Sequence, residues 1–281
     1  MARFAANLTL LFNELPILQR FAAAKRVGFK GVEILYPYDM PLRELRQAAR
    51  RSGLEIVLIN CPPPNWAGGP RGFAAVPEAK ERFRNDFETT LRTAEELSAR
   101  HIHVMAGKSS GKSAMDCFVE NLKWATERAP HASLTIEPMS QTDMPGYFLS
   151  DFDTAVEVIK RVDAPNLGLQ FDAYQVHMIT GNVVGTWRRY MRYVRHIQIA
   201  GAPDRHEPRD CDIDYRDFFR AVDASDYPGW VAAEYKPRTT TEAGLRWMKR
   251  PEHAPSATQK NTQKNGAFTG WGFGRANPGG A

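Results

Sequence analysis

Two stretches of the chain end an apolar run on a carboxylate. In "LTIEPMS", residues 134–140, Glu137 follows Leu134 and Ile136 and precedes Pro138; in "WVAAEYKP", residues 230–237, Glu234 follows Val231, Ala232 and Ala233. A carboxylate buried at the end of such a run is costly unless something pairs with it. Two further polar residues stand in comparable places: Asp172 in "LGLQFDAY" and Gln198 in "HIQIA". Brought together, three carboxylates raise one another's pKa unless they share a cation. Three carboxylates plus an amide oxygen suit Mg²⁺ or Mn²⁺ better than Zn²⁺, which prefers His or Cys. Glu137, Asp172, Gln198 and Glu234 are therefore the expected ligands of one divalent ion. A lone acid of this kind would more simply cap a loop or pair with a nearby Arg or Lys, so the case rests on all four occurring in register.

The elements that must position them alternate along the chain. Strand-like runs "FAANLTL", "GVEILY", "LEIVLIN", "IHVMAG", "SLTIEP", "LGLQFD", "VRHIQIA" and "WVAAEY" are each followed by a helical pattern, over 14–28, 41–53, 78–100, 113–129, 151–163, 182–193, 214–226 and 240–250. The helices are read from spacing: Phe83, Phe87, Leu91, Ala94 and Leu97 recur at steps of three and four, making one apolar stripe. Eight such pairs in one chain of this size predict a closed (β/α)8 barrel, an α/β fold of parallel strands. An open doubly wound sheet would want a GxGxxG turn after an early strand, and none is present. In a barrel the strand ends at one rim carry the chemistry, so the four polar residues, drawn from four consecutive strands, face one another across part of its mouth. Residues 1–250 form the expected barrel domain. Residues 251–281, rich in Gly, Pro, Asn and Gln without periodicity, are expected to be a disordered tail.

Composition excludes little further. The 281 residues are 43% hydrophobic and 25% charged, ordinary for a globular protein. No apolar run reaches the roughly 18 residues of a membrane span, and the N-terminus lacks the order of a signal peptide. A cytoplasmic location is expected, and Cys61, Cys117 and Cys211, far apart with no CxxC, fit reduced thiols. The net charge of +5 would suit a nucleic-acid partner, but the basic residues are scattered on helix patterns such as "RELRQAARR" and "WRRYMRYVRH", where a solvated face is the simpler reading. Neither a nucleic acid nor a membrane is expected as partner.

Several motifs together resemble the hydroxypyruvate isomerase family, within the xylose isomerase-like barrels. They are "RFAANLTLLFNELPILQRF", "GFKGVEILYPYD", "NCPPPNWAGGPRGFA", "AGK", "IEPMSQTDMPGYFL", "HIQIAGAPDRHEP" and "AAEYKP", reaching to about residue 250. The resemblance implies reversible conversion of hydroxypyruvate to tartronate semialdehyde, with two glutamates exchanging protons with carbon; by position in "IEP" and "EYKP" these are Glu137 and Glu234. The wider superfamily's metal ligands fall on Glu137, Asp172, Gln198 and Glu234. Two places depart from the family pattern. Where it runs Asp-x-Tyr-His-x-Gln this chain has "DAYQVH", exchanging Gln175 and His177, and Ser140 stands where Asn is usual.

Moving a carbonyl between neighbouring carbons needs one base, one acid and stabilisation of the enediolate between them; a positioned carboxylate supplies about 10²–10⁴-fold and a metal several kcal/mol more. Glu137 and Glu234 are thus expected on opposite faces of a planar enediolate. A small hydroxy-keto acid also needs a cation for its carboxylate, and Lys108, Arg205, Lys236 and Arg71 are loop candidates. His206 and Gln175 are further candidate substrate contacts. Phe12, Tyr36, Trp66 and Phe73 are expected to wall the mouth, and residues 62–73 have the Pro/Gly content of a lid. Other sugar-acid isomerases, among them a 2-oxo-tetronate isomerase, and sugar 3-epimerases share the requirement for this chemistry. An apurinic-site endonuclease would want histidines around several zinc ions, and a non-catalytic binding protein is the remaining alternative. A homodimer is the default for a soluble enzyme.

Overall fold

The computed structural model describes residues 2–62 and 71–249. Short runs of β-branched and small apolar residues form strands β1 (Arg3–Asn7), β2 (Gly31–Glu33), β3 (Glu55–Cys61), β4 (His101–Val104), β5 (Ser133–Ile136), β6 (Leu167–Asp172), β7 (Val194–Ile199) and β8 (Trp230–Ala233). Each pairs in parallel with the next, and β1 pairs with β8, so the sheet closes into an eight-stranded barrel. Closure leaves no open sheet edge. The helices are α1 (Ile17–Arg26), α2 (Leu42–Ser52), α3 (Lys80–Leu97), α4 (Gly111–Arg128), α5 (Phe152–Val162), α6 (Ala173–Thr180), α7 (Val183–Tyr190), α8 (Tyr215–Ala224) and the short α9 (Thr241–Gly244), which runs into a 3₁₀ turn at Leu245–Lys249.

The main core lies between strands and helices. Phe83, Phe87, Leu91, Ala94 and Leu97, the stripe read from the sequence of α3, are all buried. Inside the barrel the packing changes character. Trp230, the first residue of β8, forms a separate apolar cluster with Ala5, Val57 and Ala232. Gly31 allows this: a Cβ there would lie 2.7 Å from Val57 Cγ2 and 3.1 Å from the Trp230 ring. Beyond that cluster come buried polar side chains, including Asn7, Glu33, Asn60, His103, Thr135, Gln170, His196 and Gln198. Each must find a partner within the barrel, because an unsatisfied buried polar group costs about 1–3 kcal/mol.

The helix expected over 182–193 differs from the structure in one respect that matters. The segment just after β6 already forms a helix, α6, whose first turn is capped by Asp172: its Oδ1 accepts the Tyr174 N–H at 2.9 Å. A carboxylate at a helix start is favoured by the free N–H groups and the helix dipole there. Gly181, at φ +68°, then ends α6 in the left-handed conformation and lets α7 begin anew. The expected helix over 240–250 reduces to α9 and its 3₁₀ turn. The tail at 251–281 lies outside the described residues.

Candidate active site

A cavity of about 400 Å³ opens where the strands end. Glu137 directly follows β5, Gln198 lies in β7, and Glu234 directly follows β8; all three line it, with Tyr36, Asn60, Arg71, His103, Gln170, Arg205 and Lys236. The two glutamates, distant in sequence, thus face one small volume. Asp172 is buried beside it, in register with Gln198 on β7.

Arg205 is the cation among these acids. Its Nη2 lies 2.8 Å from Asp172 Oδ2 and 3.5 Å from Glu234 Oε2, and its guanidinium stacks 4.6 Å above the Tyr174 ring. Arg205 adopts φ +55°, a left-handed conformation uncommon for a non-glycine residue. The cost of that backbone is borne where it turns the side chain back toward the acids. Burial opposes its charge, but Asp172 and Glu234 outweigh burial and hold Arg205 above its ordinary pKa.

The carboxyls are tuned toward neutrality. Burial, then the neighbouring charges of Asp172 and Glu234, hold Glu137 well above the usual carboxylate range. Burial pushes Glu234 up to about 8, with Arg205 pulling the other way. Asp172 is also raised by burial, against the pull of Arg205 and the Tyr174 N–H. Glu137 is only 4% exposed; its Oε2 accepts a hydrogen bond from Gln170 Nε2 at 2.8 Å and lies 3.6 Å from His103 Nε2. Burial pushes His103 down to about 3, so near neutral pH its imidazole is uncharged.

Two of the four expected metal ligands, Asp172 and Gln198, have their oxygens engaged elsewhere. Asp172 Oδ1 takes the Tyr174 N–H and Oδ2 takes Arg205, while Gln198 Oε1 accepts from Gln170 Nε2 at 2.7 Å. Among the described residues no group of three or more His, Cys, Asp or Glu side chains is disposed to hold an ion. The donor types suit Mg²⁺ or Mn²⁺, but the donors as arranged do not fit a shared ion. Arg205 supplies the charge that the crowded acids were expected to draw from one.

The other candidate contacts divide. Lys236 is exposed and lines the cavity, its N–H bonded to the Arg205 carbonyl at 2.8 Å. Gln175 lines it too, donating to Asp143 Oδ2 at 3.1 Å and accepting the Ser140 N–H at 2.7 Å. The two departures from the family pattern, Gln175 and Ser140, are therefore hydrogen-bonded to each other. Lys108 is exposed, does not line the cavity, and its backbone bridges to Tyr147. His206 also stays outside it, with Nδ1 2.8 Å from the Lys236 carbonyl oxygen. Of the aromatics, Tyr36 lines the cavity, whereas Phe12 packs edge-on against Phe29 in the core and Phe73 lies under Arg82. Trp66 and most of the expected lid lie outside the described residues.

Sequence reasoning passed over Glu33, His103, Asp143 and Gln170. Glu33 and Gln170 carried a readable signal, since each interrupts an apolar strand run, "GVEILY" and "LGLQFD", much as Glu137 does.

Comparison with known proteins agrees with this geometry. The family model for a xylose isomerase-like TIM barrel matches residues 21–250. The 2-oxo-tetronate isomerase of Cupriavidus necator is 41% identical over 255 residues, covering 89% of this chain and 98% of that protein. The hydroxypyruvate isomerase of Escherichia coli is 39% identical over 254 residues, covering 88% and 98%. A crystal structure of a family 2 AP endonuclease from Brucella melitensis superposes with a TM-score of 0.85 at 38% identity, covering 89% of this chain and 98% of that one. The eight-stranded barrel, the acids gathered at its mouth and these near end-to-end alignments place the chain, as an enzyme, in the xylose isomerase-like TIM barrel family.

Proposed function

We propose that the protein is a sugar-acid isomerase that interconverts hydroxypyruvate and tartronate semialdehyde, with Glu137 and Glu234 as the acid/base pair. The observation that carries this reading is that both glutamates line one cavity with carboxyls tuned upward by burial, so that near neutral pH one can hold a proton while the other accepts one.

In the forward direction one glutamate takes a proton from C3 of hydroxypyruvate, and the electron pair moves into a C2–C3 double bond to give an enediolate. The other glutamate returns a proton to C2 from the opposite face, while the hydroxyl proton passes from O3 to O2. The product is the aldehyde, isomeric with the substrate, and no redox partner is consumed. Charge developing on the oxygens is met by the positive charge of Arg205, which lines the cavity. Lys236 and Arg71, lining the same cavity, are the cations for the substrate carboxylate. No step is routed through a metal ion.

A four-carbon 2-oxo acid, as in a 2-oxo-tetronate isomerase, is the second reading. The Gln175–Asp143 pair favours it, since it places an amide and a carboxylate on the cavity wall where an added substrate hydroxyl could bond. An endonuclease reading is disfavoured by ligand chemistry, because the rim offers acids, amides and Arg205 instead of clustered histidines.

The experiment is an NMR assay in D₂O of hydroxypyruvate, tartronate semialdehyde and 2-oxo-tetronate, each with and without Mg²⁺ or Mn²⁺. Interconversion with deuterium appearing at the receiving carbon is expected. Turnover without deuterium uptake would point to hydride shift, and no turnover of any of the three acids would overturn the isomerase reading.

A further inference from the structure

Beneath the cavity, buried side chains from five strands form a hydrogen-bonded chain whose direction can be assigned. It begins at a group that can only donate: the Thr9 backbone N–H, 3.0 Å from Asn7 Oδ1. That contact makes Oδ1 the acceptor and turns Asn7 Nδ2 to Glu33 Oε2, at 3.0 Å. Glu33 is fully buried and also faces Gln198 Nε2 at 3.1 Å, through Oε2, and His196 Nε2, through Oε1. Glu33 Oε2 accepts from Asn7 Nδ2 and from Gln198 Nε2 alike, so Gln198 presents its NH₂ to Glu33 and its oxygen away from it. That oxygen accepts from Gln170 Nε2 at 2.7 Å. The second N–H of Gln170 is then committed to Glu137 Oε2 at 2.8 Å, and Gln170 Oε1 is satisfied by the Thr135 hydroxyl at 3.0 Å. Amide orientation is assigned from the network in this way, and reversing any one link would set two acceptors or two donors against each other.

We propose that Glu33 is a positioning residue for the proton transfer: through Gln198 and Gln170 it sets the hydrogen-bond polarity that pins one oxygen of Glu137 and leaves the other for the substrate carbon. Glu33 touches no substrate; it lies behind Gln198 and does not line the cavity. Glu137 itself is faced by His103, Asp172, Glu234 and Arg205 from the other strands, none of which donates to the oxygen left over among the described residues. Among the described residues, the one donor orienting Glu137 by a direct hydrogen bond is Gln170, the far end of the chain from Glu33. The expected rate effect rests on the isomerase reading, whereas the polarity itself rests on hydrogen-bond geometry alone.

The test uses Glu33→Gln, Gln170→Met and the double variant of the full chain. Kinetically, each single variant should lower kcat about tenfold, the order for losing a hydrogen bond to a charged group, with KM little changed. The double variant should be no worse than the poorer single one, because both cut the same relay. Additive losses, or a loss confined to KM, would overturn the proposal.

A second arm needs no substrate. The side-chain amide resonances of Gln170, identified as the pair missing in Gln170→Met, should shift in Glu33→Gln together with those of Gln198. If Glu33 merely fills the barrel beside His196, only its direct neighbours Asn7, His196 and Gln198 would respond, and unmoved Gln170 resonances would overturn the relay. In the wild-type protein the Gln170 amide protons should exchange with D₂O far more slowly than those of exposed Gln19. Equal exchange would also overturn it. This arm decides the relay even where no acid in the assay panel turns over.

Discussion

Arg205 Nη2 lies 2.8 Å from Asp172 Oδ2. This contact joins the loop after β7 to the end of β6, and from it the same nitrogen reaches Glu234 at 3.5 Å. The site therefore carries its own fixed positive charge among its acids, where an ion shared by Glu137, Asp172, Gln198 and Glu234 was expected.

Removing that charge should expose the metal-binding tendency of the acids. In Arg205→Ala, Mn²⁺ affinity measured by electron paramagnetic resonance or calorimetry should rise above that of the wild type, because Asp172 and Glu234 then lack the cation paired with both. Wild-type turnover should survive chelation. A wild-type protein that binds Mn²⁺ stoichiometrically and loses turnover with EDTA would contradict this.

Glu137→Gln and Glu234→Gln keep shape and hydrogen-bonding capacity but cannot shuttle a proton. Each should cut turnover by at least about 10²-fold, with the circular dichroism spectrum intact. Near-normal turnover in either variant would remove that residue from the acid/base pair.

Stability should vary with pH in a direction set by the raised glutamates. Glu234 has a folded-state pKa of about 8 against an ordinary 4.5, so between these values the folded chain binds more protons than the unfolded one. Its stabilising contribution is full below about pH 4.5 and is lost as pH rises through 8. Glu234→Gln, uncharged at every pH, should therefore melt higher than wild type at pH 8 to 9, with the gap narrowing toward pH 5. A gap that widens on acidification would show the sign to be wrong.

For the substrate carboxylate, the cations on the cavity wall are the ones to test. Lys236→Ala and Arg71→Ala should each raise KM about tenfold with a smaller change in kcat, as expected when binding common to ground and transition states is removed. Unchanged KM in both variants would place the carboxylate against another group.

The alternation of apolar runs and helical stripes was enough to read the barrel, because strand and helix periods are local properties and eight repeats have few ways to bury their apolar faces. The same reading placed Glu137, Asp172, Gln198 and Glu234 at the rim, since a polar residue ending an apolar strand is visible in the letters. What the letters could not show was which charge meets which. Arg205 reaches Asp172 and Glu234 through a left-handed turn in its loop, and Lys108, similar to it in type and in position after a strand, ends up exposed outside the cavity. The polarity running from Asn7 through Glu33, Gln198 and Gln170 to Glu137 depends on β1, β2, β7 and β6 meeting in one closed sheet. Sequence by itself determined which residues stand at the strand ends; the tertiary structure alone decided their partners, because hydrogen bonds and ion pairs across a barrel join residues far apart in the chain and depend on distances of a few ångströms that only closure and loop geometry set.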